Sequence, residues 1–470
     1  ALRYALYHLI SAANPEDERV SIGARALTGE AYRGHVFWDT EIFVLPVYVY
    51  TWPAAARALL MYRYHTLPAA RAKAARLGYR GALYAWESTD SGEEATPPWV
   101  VTPDGKLIPI RNGEQEIHIS ADVAYAVWQY WQATHDVPFL LEAGAEIILE
   151  TARFWSSRAT LAADGCYHIR GVIGPDEYHE NVDDNAYTNT MARWNLERGL
   201  EVASLLARRW PQHWSVLRKR LDLTTAELAH WRDVVRRLVT GTRDPSGVIE
   251  QFRGYFDLEP IDLSTVRLPG VPPDVVLGRE RTQRSQVIKQ ADVVMLLALL
   301  WERFPPEVRA ANFRFYEPRC GHGSSLSPPI HALVAARLGD TELAMRYLAQ
   351  TAAVDLGDTM GNVAGGVHIG ALGGLWQAVV FGILGFSPRA RELHFAPHVP
   401  EGWHLLRVPL RWRGRFLHVE TRSDPLTMTV TLQRGRPLTL TVGGLRRRLR
   451  RGQSWSCRWN ADRRAWEEMS

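Results

Sequence analysis

Apolar residues recur at helical spacing along most of this chain. In "ADVAYAVWQYWQATHD" (121–136), Val123, Ala126, Val127 and Tyr130 fall on one face of a helix. The same period runs through "PFLLEAGAEIILETARFWSSRAT", "AELAHWRDVVRRLVTG", "SQVIKQADVVMLLALLWERF", "PPIHALVAARLGDTELAMRYLAQTAAVD" and "GALGGLWQAVVFGILG". Clusters of Gly, Pro and Asp separate these segments. The pattern predicts an all-α body of roughly a dozen helices, wound as a solenoid or closed into an α-barrel. No repeat of fixed period is visible, which counts against the solenoid. The register then changes. From "LRVPLRW" (406–412) to "SWSCRW" (454–459) apolar and polar residues alternate with period two, and "RG" and "GG" mark turns. This predicts an antiparallel β unit, with domains at 1–386 and 387–470.

Composition alters that picture in one respect. Hydrophobic content of 46% and charged content of 23% are ordinary for a globular chain, and 470 residues suffice for a large core. A net charge of +4 is too mild to point to nucleic acid. The run "LRRRLRR" (445–451) lacks interleaved aromatics, so it reads as a solvated edge strand or loop. No apolar run reaches ~18 residues, so neither a transmembrane helix nor a membrane partner is expected. Cys166, Cys320 and Cys457 are scattered and form no CxxC, which argues against a disulfide framework or a zinc site and for a cytoplasmic location. No signal peptide is visible, and the chain opens without Met as if already inside a helix, as a fragment would. The departure is aromatic: 18 Trp and 17 Tyr. Flat rings with a polar edge suit the C–H faces and hydroxyl rim of a pyranose, although a large aromatic core would have the same composition.

Several stretches carry candidate chemistry. "GPDEYHENVDDNAYTN" (174–189) holds Asp176, Glu177, Glu180, Asp183 and Asp184 with no basic residue among them. It reads as a solvated loop, a metal site, or a catalytic loop that keeps one carboxyl protonated. "GHVFWDTEIFVLP" (34–46) sets Trp38 beside Asp39, a ring for a sugar face and a carboxylate for its hydroxyls; a core Trp and a helix-capping Asp would look alike. "LYAWESTDSGEEATPPW" (83–99) reads as a rim loop with Trp86, Glu87 and Glu94. His118 stands just before a helix capped by "SAD" and reads as structural from this stretch alone. Lys289 and Gln290 lie in an apolar run, where a lysine must snorkel, pair or meet an anion. In "FYEPRCGHGSSLSPPIHA" (315–332), Ser327 is expected to cap a helix with Pro at its first position, and "GHGSS" offers an anion cradle. His368 sits in a Gly-rich turn leading into a helix. The chain has no HExxH, P-loop, GxGxxG or GxSxG.

In order and spacing, "RGHVFWDTEIFVLP", "ALYAWESTDSGEE", "GPDEYHENVDDNAYTN", "KQADVV", "YEPRCGHGSSLS" and "GGVHIGALGGLWQ" resemble glycoside hydrolase family 65. That family includes kojibiose, maltose, nigerose and trehalose phosphorylases and some hydrolases. The resemblance covers nearly the whole chain. It implies an (α/α)6 barrel followed by a small antiparallel β-sandwich. It implies that Glu177 is the general acid, that Trp38, Asp39, Lys289 and Gln290 hold the non-reducing glucose, and that Ser324, Ser325 and His368, with Lys289, bind phosphate. Trp86, Glu87, Glu94 and His118 would shape the substrate site. The carboxylates around Glu177 would favour its protonated form. The reaction implied is inverting phosphorolysis of an α-linked glucose disaccharide or oligosaccharide to β-glucose 1-phosphate. Inorganic phosphate is the co-substrate, with no metal or organic cofactor, and members are often homodimers. Two departures stand out. Family members usually carry an N-terminal β-sandwich that this chain lacks, and Gly323 replaces the Asp of many phosphorylases. An inverting α-glucosidase, with Glu87, Glu94, Asp257 or Glu317 as base, and a non-catalytic sugar-binding protein are the alternatives.

Overall fold

The computed structural model describes residues 1–101, 105–266, 271–389 and 392–469. Twelve of its helices form two concentric rings. They are α1 (Leu2–Ala12), α2 (Leu45–Thr51), α3 (Pro53–His65), α4 (Ile119–Thr134), α5 (Ala145–Arg158) and α6 (Ala186–Arg209). The second half comprises α7 (Thr225–Arg237), α8 (Val293–Leu299), α9 (Pro306–Tyr316), α10 (Ser327–Arg337), α11 (Thr341–Leu356) and α12 (Ile369–Gln377). The even-numbered helices touch in the order α2–α4–α6–α8–α10–α12 and back to α2, which closes the inner ring. The odd-numbered helices pack outside, α3 on α2 and α4, α5 on α4 and α6, α11 on α10 and α12, and α1 on α12. A solenoid has no such closing contact, so the helices form a barrel.

Position in the ring explains the sequence pattern. Inner helices are apolar nearly all round because both faces are covered: every residue of α12 is buried, as are residues 327–336 of α10. Outer helices keep one apolar stripe; α7 buries Glu227, Trp231 and Val234 and exposes its arginine-rich face. Two inner helices join π-helical turns, Asp39–Val44 before α2 and Ala378–Ile383 after α12. Such wider turns recur at functional sites, and the first of these begins at Asp39.

From residue 387 the chain is β. Strands β1 (Ser387–Pro388), β2 (Glu392–Phe395), β6 (Leu438–Val442) and β7 (Leu445–Leu449) form one sheet in the order β7-β6-β2-β1. Strands β3 (Leu405–Trp412), β4 (Arg415–Ser423), β5 (Leu426–Arg434), β8 (Ser454–Asn460) and β9 (Ala465–Glu468) form the second, in the order β9-β8-β5-β4-β3. Their burial alternates strictly in β3, which buries Leu406, Val408, Leu410 and Trp412. The pairing is antiparallel except between β6 and β2, which run parallel, Thr439 beside Glu392. The arginines of β7 lie on an edge strand, where charge discourages further pairing. At the seam with the barrel, the Arg413 amide donates to the carbonyl of Ala133 at 2.6 Å, and its Nε to that of Gln132 at 2.9 Å.

Candidate active site

The acidic stretch of residues 174–189 leads into α6, and most of its carboxylates turn away from Glu177. Asp176 accepts from Gln251 Nε2 at 2.8 Å and from the Lys289 amide at 2.7 Å, and pairs with His179 Nδ1 at 2.6 Å. Glu180 meets Arg279, and Asp184 meets His168 and Arg253. The expectation that these neighbours surround Glu177 is therefore corrected. The groups that do reach it come from elsewhere in the chain. Lys289 Nζ lies 3.0 Å from its Oε1, Gln290 Nε2 donates at 3.1 Å, and Asn112 Nδ2 donates to its other oxygen at 3.3 Å. Asn112 also donates to Glu116 at 2.9 Å, so one amide bridges two carboxyl groups. Glu116 is 2% exposed and its second oxygen has no partner. Burial raises its carboxyl well above the ordinary range, and the charge of Glu177 adds to this. Behind the loop, buried Asp292 accepts from the amide of Asp176 and from Asn185. Gly174 is required there, because a Cβ would collide with both Asn185 and Asp292.

Glu177 lines a cavity of about 260 Å³ together with Trp38, Asp39, Trp86, Lys289 and Gln290. Burial pushes the carboxyl of Asp39 up to about 7, and the charges of Glu177 and Glu41 contribute. Beneath it, Arg63 and Glu41 form a fully buried fork, Nε to Oε1 at 2.7 Å and Nη2 to Oε2 at 2.8 Å. His118 does not line the cavity. It is wholly buried behind Trp38 and Trp86, ring centroids 4.9 and 5.3 Å away, and is held by Asp122 at 2.6 Å. The "SAD" residues do not cap α4; Ser120 accepts from the amide of Tyr84, and Asp122 holds His118 and Tyr187. Glu94 is also set back from the cavity. It pairs with Lys73 and accepts from the amides of Trp86 and Glu87, which shapes the loop from behind. Glu87 itself meets His35 Nδ1 at 2.8 Å.

The opposite wall is built from segments far apart in sequence. Ser324 and Ser325 precede α10, and His368 precedes α12. Asp355 on α11 holds His368 Nδ1 at 2.7 Å, and Arg25 Nη1 lies 2.9 Å from Nε2. Arg25 also donates to the carbonyl of Gly366 at 2.7 Å, while its buried Nε has no partner. Ser327 is not the side-chain cap expected for α10. Its hydroxyl lies 3.0 Å from His322 Nδ1 and 3.3 Å from Cys320 Sγ. Cys320, His322 and His331 come close enough to hold an ion, but Ser327 and Tyr347 share their polar atoms. Burial pushes His331 down to about 4.

Comparison with known proteins places the chain in a family. The model of the glycosyl hydrolase family 65 central catalytic domain matches residues 3–377, and that of the family's C-terminal domain matches residues 386–449. The chain belongs to glycoside hydrolase family 65. It is 44% identical over 435 residues to the kojibiose phosphorylase of Caldanaerobacter subterraneus subsp. tengcongensis, covering 91% of this chain and 56% of that protein. It is 39% identical to the kojibiose phosphorylase of Escherichia coli (94% and 57%), and 35% identical to the alpha,alpha-trehalose phosphorylase of Thermoanaerobacter brockii (93% and 55%). A solved structure of a protein from the human microbiome, provisionally assigned as a kojibiose phosphorylase, superimposes with a TM-score of 0.88 at 29% identity (98% and 65%). The chain thus spans a little over half the length of these curated relatives.

Within the family 65 fold, sequence reasoning missed Arg25, Asp355, Asn112 and Glu116. Arg25 and His368 stand 343 positions apart, and no local pattern links them. Glu116 carried a usable signal: an acid two residues before His118, entering an apolar helix.

Proposed function

We propose that this chain carries the catalytic machinery for inverting phosphorolysis of an α-linked glucose disaccharide, giving β-glucose 1-phosphate and a released sugar. One observation carries the reading. A single small cavity is lined by an acid, Glu177, and by Ser324, Ser325 and His368 with Arg25 beside the imidazole, a group suited to cradle an anion.

Trp38 and Asp39 form the floor for the non-reducing glucose, with Gln290 and Lys289 at its side. Glu177 protonates the glycosidic oxygen as the bond breaks. Phosphate attacks the anomeric carbon from the opposite face, which inverts the configuration. Phosphate is already a nucleophile, so the cradle only has to position it and hold its charge. Lys289 lies between the acid and the anion. Burial is the largest single influence on its pKa and lowers it, but the charge of Glu177, the hydrogen bond to it and the charge of Glu116 together outweigh this and keep the ammonium above its usual range.

Hydrolysis by the same acid would need a base across the sugar, about 6.5–9.5 Å from it. Among the described lining residues the only carboxylates are Asp39 and Glu177. Glu87 and Glu94 are tied to His35 and Lys73, and Glu317 lies outside the cavity. These facts favour phosphate over water. Given the relatives, kojibiose is the first substrate to try, with nigerose, maltose and trehalose beside it. We place the reaction in a reducing compartment such as the cytoplasm, because the three cysteines are scattered and form no disulfide among the described residues. The test incubates the protein with each disaccharide, with and without phosphate, and assays β-glucose 1-phosphate and glucose. Phosphate-dependent release of the ester is expected. Two glucoses per disaccharide without phosphate would establish the hydrolase instead.

A further inference from the structure

Next to the cavity runs a larger groove of about 690 Å³. The two share Gly323, Ser324, Ser325 and Met360, so they meet at the anion cradle. Neither Glu177, Trp86 nor Trp38 lines the groove. Its outer wall is one face of α11, where Leu343, Arg346, Tyr347 and Gln350 follow each other at helical spacing. Arg346 and Gln350 are exposed, and the Arg346 guanidinium has no ion-pair partner among the described residues. Glu317 also lines the groove and accepts a hydrogen bond from the hydroxyl of Tyr347 at 2.7 Å.

The chemistry of the site gives this groove a use, on the proposed phosphorolysis reading. In an inverting displacement the nucleophile reaches the anomeric carbon from the face away from the leaving group. A disaccharide seated on Trp38 with its acceptor sugar toward Glu177 and Trp86 fills that side of a cavity of only about 260 Å³. Phosphate then needs a second way to Ser324 and Ser325. We propose that the groove between α11 and the 321–325 loop is the phosphate route, separate from the sugar mouth, with Arg346 as the residue that draws the anion in. An unpaired surface cation beside a narrow channel raises the local concentration of an anionic substrate and so its on-rate.

Two variants test this without touching the site. Gln350→Trp fills the groove with an indole, and Arg346→Glu reverses its charge. Phosphorolysis is followed at saturating disaccharide while phosphate is varied, and disaccharide affinity is measured without phosphate from the tryptophan fluorescence of the cavity. Gln350→Trp should lower kcat/KM for phosphate about tenfold. Arg346→Glu should lower it several-fold, with a weaker effect at high salt. Disaccharide affinity should be unchanged in both. If both variants keep wild-type kcat/KM for phosphate, the route is wrong. If instead kcat/KM for the disaccharide falls and that for phosphate does not, the groove carries sugar and the route is again overturned. Absence of phosphate-dependent turnover in the wild-type chain would remove the phosphorolysis reading as well, a result distinct from either of those.

Discussion

Glu177 and Asp292 are both acids in or behind the 174–189 loop, and they make different demands. Glu177 touches the reacting bond in the proposed mechanism. Glu177→Gln should cut kcat by about 10²–10⁴ while disaccharide still binds, because Gln290 and Lys289 remain. Unchanged turnover would exclude its role as acid. Asp292 is wholly buried, and its carboxyl is pushed up to about 8 by burial, with the charge of Asp176 adding. The folded chain therefore keeps a proton there that the unfolded chain, with a carboxyl near ~3.9, has released by neutral pH. A pKa raised on folding gives stability that is fully present below the unfolded value and lost as pH rises toward 8. Asp292→Asn removes that titration. Its melting temperature should decline less between about pH 5 and pH 8 than that of the wild type, and parallel declines would show that Asp292 is already ionised.

At the scale of elements, the site depends on close helix crossings. Gly373 of α12 faces the turn before α2 so closely that a Cβ would strike the carbonyl of Phe43. Gly370, one turn earlier, would bring a Cβ within 2.7 Å of Asp39 Oδ2. Gly373→Ala should therefore cost about 1–3 kcal/mol, read from a denaturant midpoint, and loosen substrate binding through Asp39; an unchanged midpoint would show that the crossing can relax. The "GALGGLWQ" stretch announced a helix in the sequence, and its apolar character on every side is what an inner helix needs. The helical period, the switch to alternation near residue 390, and the blocks holding Trp38, Glu177, Lys289 and Ser324 were all legible. Ring closure was not, because α12 and α2 meet across more than 300 residues and periodicity speaks only of neighbours. The side-chain partners of Glu177 were hidden for the same reason. Its adjacent acids looked like its surroundings, but turn geometry points them at His179, Arg279 and His168, while Asn112 and Lys289 arrive from other loops. Glu94 and His118 were named as substrate residues on position in their blocks; burial sets His118 behind the aromatic wall, and Lys73 with the amides of Trp86 and Glu87 holds Glu94 back from the cavity.

At the scale of the molecule, barrel and β unit meet along α2, α4 and strand β3. Arg413, at the turn after β3, donates Nε to the carbonyl of Gln132 and stacks on Trp412 at 4.5 Å. Arg413→Ala should lower the denaturant midpoint by the equivalent of about 1 kcal/mol and leave kcat/KM alone, since none of these contacts reaches the cavity. A loss of activity without loss of stability would mean that the β unit speaks to the site.

The closing contact of the ring also governs when the cavity is first complete. Arg25 and His368 meet only after α12 has joined α1 and α2, so one wall of the cavity takes a residue from before α2 and another from 343 positions later. During synthesis, a ribosome that has released the chain as far as residue 300 has already delivered Trp38, Glu177 and Lys289, but the proposed cradle has neither its serines nor its imidazole. A nascent chain therefore acquires the groups proposed to face the sugar before those proposed to hold the anion. A product cut short before residue 368 lacks the imidazole of the cradle, however well its earlier helices have packed.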